Sequence, residues 1–281
     1  MKLVRFGEVG HERPGLLDEA GQIRDLSEEI PDIHSAYLSS AKLAQLQAIN
    51  LNALPIIKSS PRIGACVGGV GKFIGIGLNY KDHAKEVGFE APSEPILFLK
   101  ATSSIIGAYD DIIIPRNAKQ TDWETELGVV IADKAKYVSE QEAMNYVAGF
   151  CLVNDVSERE FQLKRGGQWD KGKGCDTFGP IGPWLVTKDE IADPQNLSVQ
   201  FSLNGKRYQD GNTKDMIFNV AYLISYLSQF FTLHPGDVIT TGSPAGVGFS
   251  QEPSPIFLNA GDEITLSITG LGEQTHRIIA E

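Results

Sequence analysis

Residues 123–128 read Trp-Glu-Thr-Glu-Leu-Gly and run on into Val129, Val130 and Ile131. An apolar run of this kind is a strand pattern, and side chains two apart on a strand point to the same face. Glu124 and Glu126 are therefore set side by side where a core or neutral residue is usual. Crowded carboxylates repel until one takes up a proton or a cation sits between them, and hard divalent ions prefer oxygen donors of this type. Asp155 supplies a third carboxylate where the apolar segment 150–154 closes, at a strand end from which a functional side chain can leave a rigid core. An amphipathic strand with one solvated face gives the same Glu-x-Glu pattern, so the spacing alone leaves both readings open. The neighbouring segments give the first its weight.

Residues 79–88 read Asn-Tyr-Lys-Asp-His-Ala-Lys-Glu-Val-Gly. On a helix His83 and Glu86 are i, i+3 neighbours. A carboxylate beside an imidazole orients it and raises its basicity, the pairing expected of a general base that activates water. A surface helix with an incidental His–Glu contact reads the same way, and Gly88 could end that helix or serve as the hinge of a lid. Downstream, 158–175 is polar, charged and glycine-rich, a composition shared with mobile surface loops. Residues 240–248, Thr-Thr-Gly-Ser-Pro-Ala-Gly-Val-Gly, form a tight turn of the sort that brings backbone N–H groups close to a ligand.

Two glycine motifs are set aside. Gly71-Lys72 has the flavour of a phosphate loop, but Cys66 stands where that motif needs glycine and Phe73 where it needs Ser or Thr. Gly75-Ile76-Gly77 lies between a strand and a helix, yet Tyr80 occupies the third glycine position of the dinucleotide fingerprint. Nucleotide binding is not expected.

The elements that must hold these groups follow from the apolar pattern. Strands are expected at 72–78, 96–101, 104–114, 123–132, 147–155, 180–187, 198–203, 237–241, 262–269 and 274–279, with helices at 35–49, 80–87, 139–146, 157–164 and 216–231. Asn204-Gly205 marks a hairpin and Leu271-Gly272 suggests another. Strands outnumber helices without alternating with them, which predicts a β-rich α+β fold. Short strands and one helix before Pro55 and the Ser59-Ser60-Pro61 cluster place a domain boundary near residue 70.

With 281 residues, 42% of them hydrophobic, the chain can bury one substantial core and a small second domain. No run approaches the roughly 18 to 20 apolar residues of a membrane span, and the opening residues are too polar for a signal-peptide core, so a cytoplasmic address is expected. Cys66, Cys151 and Cys175 show neither CxxC nor Cys/His spacing, so neither a disulfide framework nor a zinc site is indicated. A net charge of −11 argues against nucleic acid or an anionic membrane as partner, while a local positive pocket for a small anion remains compatible with it.

Taken together, Gly77-Leu78-Asn79-Tyr80 with His83 and Glu86, Glu124-Thr125-Glu126-Leu127, Val153-Asn154-Asp155-Val156-Ser157, Lys173 with Asp176-Thr177-Phe178-Gly179-Pro180, and the run from Thr241 to Gly248 resemble the fumarylacetoacetate hydrolase family. The resemblance runs from about residue 72 to the C-terminus, and the first 70 residues resemble the small leading domain of bacterial members. Ser243 stands where Thr is common, and Ser157-Glu158-Arg159-Glu160 replaces the more usual Ser-Ala-Arg-Asp; neither departure falls on an implied metal ligand. The resemblance implies an α+β mixed β-roll with a small N-terminal α/β domain over 1–70 and the catalytic domain over 71–281, working as a homodimer or higher oligomer. It implies Mg²⁺ or Mn²⁺ held by Glu124, Glu126 and Asp155. His83, Glu86 and Lys173 would be catalytic, and Lys100, Tyr80, Gln162 and Thr241 would line the substrate site. The substrate would be an anionic 2-oxo acid and the reaction metal-dependent hydrolysis of the C3–C4 bond of a 2,4-diketo acid. 2,4-Diketo-3-deoxy-L-fuconate or L-rhamnonate would give pyruvate and an acid such as lactate. Acylpyruvases, oxaloacetate decarboxylases, hydroxymuconate-type isomerases and ureidoglycolate lyases share the site. A non-catalytic metal- or anion-binding protein is the alternative of another class.

Overall fold

The computed structural model describes residues 1–86, 88 and 90–281. Its centre is built from the apolar runs Thr125–Ile131, Val147–Asn154 and Gly179–Thr187, adjacent antiparallel strands of a ten-stranded sheet. Val238–Thr240, Phe73–Gly77 and Ile96–Lys100 extend this sheet on one side; Lys2–Phe6, Arg13–Leu17 and Ile23–Asp25 extend it on the other. The first strands of the chain thus continue the same sheet, Lys2–Phe6 pairing with Gly179–Thr187. A second sheet of five strands runs Lys206–Asn212, Ser198–Leu203, Glu263–Ile268, Gly272–Ala280 and Ile112–Ile114. The fold is strand-rich α+β.

Strand alternation sorts the core into two layers. Leu127, Val129, Ile131, Phe150 and Leu152 face Val199, Phe201, Ile264 and Leu266 of the five-stranded sheet and Leu223 and Leu227 of helix Val220–Phe230. Val130, Cys151 and Val153 face the other way, against Leu3, Leu16, Leu26 and Leu46 of the N-terminal segment. Cys66 lies in the same layer with its thiol against that of Cys151; both are free, and that contact together with burial pushes the Cys151 thiol well above its ordinary value. No helix among the described residues is long and apolar enough to cross a membrane.

Several expected elements take a different form. The run 104–114 is interrupted between Ile105–Ile106 and Ile112–Ile114, because Asp110 accepts the Gly107 N–H at 2.7 Å and is itself clamped by Arg62, closing a turn. The last long helix starts at Val220 and not at 216: Asn219 caps it by accepting the Tyr222 N–H at 2.8 Å, while the Phe218 N–H is taken by Asn79. Helix Ser40–Gln47 begins late for the same reason, with Ser39 accepting from the Lys42 N–H. Residues 139–146 are helix Glu140–Ala143 followed by a 3-10 turn, and 157–164 open as a two-residue strand before helix Arg159–Lys164. The helix expected over 80–87 is Lys81–Glu86; Val87 lies outside the described residues. The Asn204-Gly205 hairpin is present, with Lys206–Asn212 as its second arm.

Candidate active site

Strand register assembles the three carboxylates. Val153 pairs with Glu126 and Asn154 with Thr125, so the next step brings Asp155 opposite Glu124. The Asp155 N–H donates to the Glu124 carbonyl at 2.8 Å. Glu124 lies one residue before the strand, yet its side chain joins those of Glu126 and Asp155: one oxygen of each lies within 4.8 Å of the others, and all three residues are buried.

Cations reach this cluster from three separate segments. Lys173, on the short helix Asp170–Lys173, donates to Glu124 Oε2 at 2.7 Å and Asp155 Oδ2 at 2.6 Å. Lys100 donates to Asp155 Oδ1 at 2.6 Å, to the Val156 carbonyl at 3.3 Å and to the Lys173 carbonyl. Arg159 spans Asp122 at 2.7 Å and Glu124 Oε1 at 2.8 Å, and its Nη1 donates to Gln162 Oε1 at 3.1 Å. Among the described residues Glu126 accepts only from neutral donors, the Thr240 hydroxyl at 2.5 Å and the Gly242 N–H at 2.7 Å.

The electrostatics follow from that layout. Burial works against ionisation of Glu124, but the charges of Lys173 and Arg159 outweigh it and hold the carboxyl well below the usual range. For Glu126, burial and then the neighbouring charges of Asp155 and Glu124 push it well above that range. Burial lowers Lys100 against the pull of Asp155; for Lys173 the attraction of Asp155 and Glu124 prevails over burial and raises it. Four buried carboxylates, Asp122 included, thus stand against three buried cations. Glu126, the carboxyl with no cation hydrogen-bonded to it among the described residues, sits inside this set of hard oxygen donors. A divalent cation fits the donor set and would favour the ionised form of Glu126.

His83 is buried and opens onto the same cavity as Glu124, Glu126, Arg159, Gln162 and Lys173. Its Nδ1 stands 3.5 Å from Glu86 Oε2, and both Glu86 oxygens accept the Gly246 N–H at 3.1 Å. The glycine turn therefore orients the carboxylate that faces the imidazole. Leu78, Leu163, Trp169, Ser243 and Phe249 complete much of the lining.

The residues expected to contact substrate separate into two groups. Gln162 lines the cavity. Lys100 and Thr241 stand behind it: Lys100 holds Asp155, and the Thr241 hydroxyl donates to the Leu127 carbonyl at 2.9 Å. Tyr80 is also buried behind the lining, its hydroxyl without a hydrogen-bond partner among the described residues; burial and then the charge of Glu126 raise it well above its ordinary value. Arg159 and Asp122 are site residues that sequence reasoning passed over. The one usable signal was Arg159 within the Ser-x-Arg-x motif, hidden between Glu158 and Glu160 in a stretch that reads as solvated.

Residues 72–279 match the family described as fumarylacetoacetate (FAA) hydrolase, C-terminal. A protein of Burkholderia orbicola (strain MC0-3), provisionally named a hydrolase, is 61% identical over 277 residues, spanning 99% of this chain and 98% of its own. The structure of a fumarylacetoacetate hydrolase from psychrophilic Exiguobacterium antarcticum aligns over 100% of both chains with a TM-score of 0.87 and 34% identity. A 5-carboxymethyl-2-hydroxymuconate delta-isomerase from Mycobacterium smegmatis aligns over 100% of this chain and 99% of its own, with a TM-score of 0.76 and 30% identity.

Proposed function

The chain belongs to the fumarylacetoacetate hydrolase family, a family of hydrolases and isomerases, and from that premise we propose that it hydrolyses the C3–C4 bond of a 2,4-diketo acid to pyruvate and a carboxylic acid. The observation that carries this is the pairing of His83 with Glu86 on the same cavity as the acidic cluster.

Glu124, Glu126 and Asp155 would hold a divalent cation, Mg²⁺ or Mn²⁺, which supplies compact positive charge to the carboxylate and keto oxygens of a 2-oxo acid. Lys173 and Arg159 hold Glu124 ionised and add positive charge on the cavity side of the cluster. His83 takes a proton from water, and Glu86 steadies the imidazolium that forms. The water oxygen bonds to C4, the C3–C4 bond breaks, and its electron pair stays with the three-carbon fragment as the enolate of pyruvate. The imidazolium returns its proton to C3, so one water is consumed and His83 is restored.

The alternative within the family is isomerisation, supported by the likeness to the mycobacterial isomerase. It needs a proton moved between carbons and no water, whereas the His83–Glu86 pairing favours water activation. Sugar-acid substrates such as 2,4-diketo-3-deoxy-L-fuconate or L-rhamnonate are supported by the whole-chain resemblance; their hydroxyl-bearing tail would lie against Leu163, Trp169 and Phe249. Three free cysteines suit a reducing compartment, and we take the enzyme to act in the cytoplasm as a homodimer, an assembly that sedimentation measures directly.

The test is to add protein and Mg²⁺ to acetylpyruvate, following the ultraviolet absorbance of the diketo group and identifying products by NMR. Pyruvate and acetate in equal amounts support the proposal. Absorbance loss without pyruvate would point to isomerisation, and no change to a binding protein.

A further inference from the structure

The segment that leads into the acid-bearing strand also grips the glycine turn. Asp122 Oδ1 accepts the Gly248 N–H at 2.7 Å and its Oδ2 accepts the Phe249 N–H at 2.9 Å, while Glu124, two residues on, belongs to the acidic cluster. Between them Trp123 donates its indole N–H to the Gly246 carbonyl at 3.1 Å. Gly246 is the residue whose own N–H is shared by both Glu86 oxygens. One tryptophan thus reaches the His83–Glu86 pair through a single intervening residue, from a backbone that continues into Glu124.

A buried tryptophan usually finds an acceptor for its N–H, so the contact gains meaning from how firmly donor and acceptor are held. Trp123 is fully buried and stacked on Phe201, with ring centroids 4.6 Å apart and planes 8° from parallel, which leaves the indole little freedom to turn. Gly246 has a φ of +103°, which side chains rarely adopt, and a Cβ there would fall on the Tyr208 carbonyl. Gln209, next on that strand, donates to Ser243 Oγ at 2.7 Å and to the Pro244 carbonyl at 2.9 Å, and accepts the Thr125 N–H at 3.1 Å. The turn is therefore fixed against both the acid-bearing strand and the second sheet. Glu86 needs such a support. Its side chain is 22% exposed and stands 3.5 Å from His83 Nδ1, at the outer limit of a hydrogen bond, so the imidazole alone does not set its position.

We propose that Trp123 is a positioning residue for the His83–Glu86 pair: acting through Gly246, it fixes the Glu86 carboxylate against the imidazole and keeps the pair in register with the acidic cluster. The proposal rests on the hydrolase reading above, and a readout that needs no turnover keeps their failures apart.

Trp123→Phe keeps a ring on Phe201 and removes the donor. Trp123→3-benzothienylalanine keeps the whole fused ring, with sulfur in place of the N–H, and so controls for packing lost in the first variant. With acetylpyruvate and Mg²⁺, kcat is expected to fall roughly 2- to 10-fold in both, the worth of one hydrogen bond, with KM and the Mg²⁺ affinity read by calorimetry unchanged. In a His83→Ala background neither change at position 123 should lower kcat further, because no imidazole remains to be positioned; a merely structural role would multiply the two losses. Amide exchange across 242–248, followed by mass spectrometry, should quicken in both variants whether or not the protein cleaves a diketo acid. Unchanged kcat in an active enzyme, the same loss in His83→Ala, a Mg²⁺ affinity that falls with kcat, or unchanged exchange would each overturn the proposal. Quickened exchange in a protein that cleaves no diketo acid would support the positioning and overturn the hydrolase reading.

Discussion

His83 and Glu86 were visible in the sequence because both sit on one short helix, three residues apart. The structure adds the Gly246 N–H, from a turn 160 residues away, that holds Glu86 against the imidazole. His83→Ala is expected to lower kcat by roughly 10²- to 10⁴-fold, with metal affinity, read by calorimetry, little changed. Burial alone would raise the Glu86 carboxyl above its usual 4.5, but hydrogen bonds from His83 and Gly246 outweigh it and hold it lower. Glu86 therefore stays ionised at neutral pH, and its contribution to stability is in place above that usual value and lost as pH falls through the lowered one. Glu86→Gln should cost less rate than His83→Ala, because the imidazole keeps a hydrogen-bonding neighbour but loses the charge that steadies the imidazolium formed in the reaction. An unchanged kcat in Glu86→Gln would count against the dyad. Arg159 was not legible, since its partners Asp122 and Glu124 lie 37 and 35 residues away and its neighbours read as a solvated stretch. Removing one partner of a buried ion pair strands the other, so Arg159→Met should lose about 3–5 kcal/mol of stability in urea unfolding.

At the scale of elements, period-two apolar runs located most of the strands, while register, which sets Asp155 opposite Glu124, is a long-range property that no single run encodes. Lys206–Asn212, which only the Asn204-Gly205 turn signals and no apolar run does, is an edge strand of Lys, Arg, Tyr, Gln, Asp, Gly and Asn. Charge on an edge discourages pairing with other chains and also erases the alternation that sequence reading depends on. Close backbone approach was equally hidden. A Cβ on Gly149 would fall on the Val186 carbonyl of the adjacent strand, at the join between the strands that carry Asn154 and Gly182. Gly149→Ala is therefore expected to cost roughly 2–4 kcal/mol, measured by urea unfolding; a neutral outcome would mean that this pairing gives way easily.

For the molecule as a whole, the net charge of −11 is a poor guide to the site, where three buried cations nearly balance four carboxylates. The buried oxygen donors of Glu124, Glu126 and Asp155, brought within 4.8 Å of one another only by folding, should make the folded chain a preferential cation binder. Mg²⁺ at about 100 times its Kd is then expected to add about 2.7 kcal/mol, raising Tm by roughly 5–10 °C; no shift at saturation would contradict a preformed metal site. In hydrolysis at C4 a water oxygen ends in the acid released from that carbon, and turnover of butanoylpyruvate in H₂¹⁸O measures this directly. The expected result is one solvent oxygen in the carboxylate of butanoate, found by mass spectrometry beside an equal amount of pyruvate. Diketo acid consumed without labelled butanoate would contradict hydrolysis at C4 and leave proton transfer or decarboxylation as the chemistry of the site.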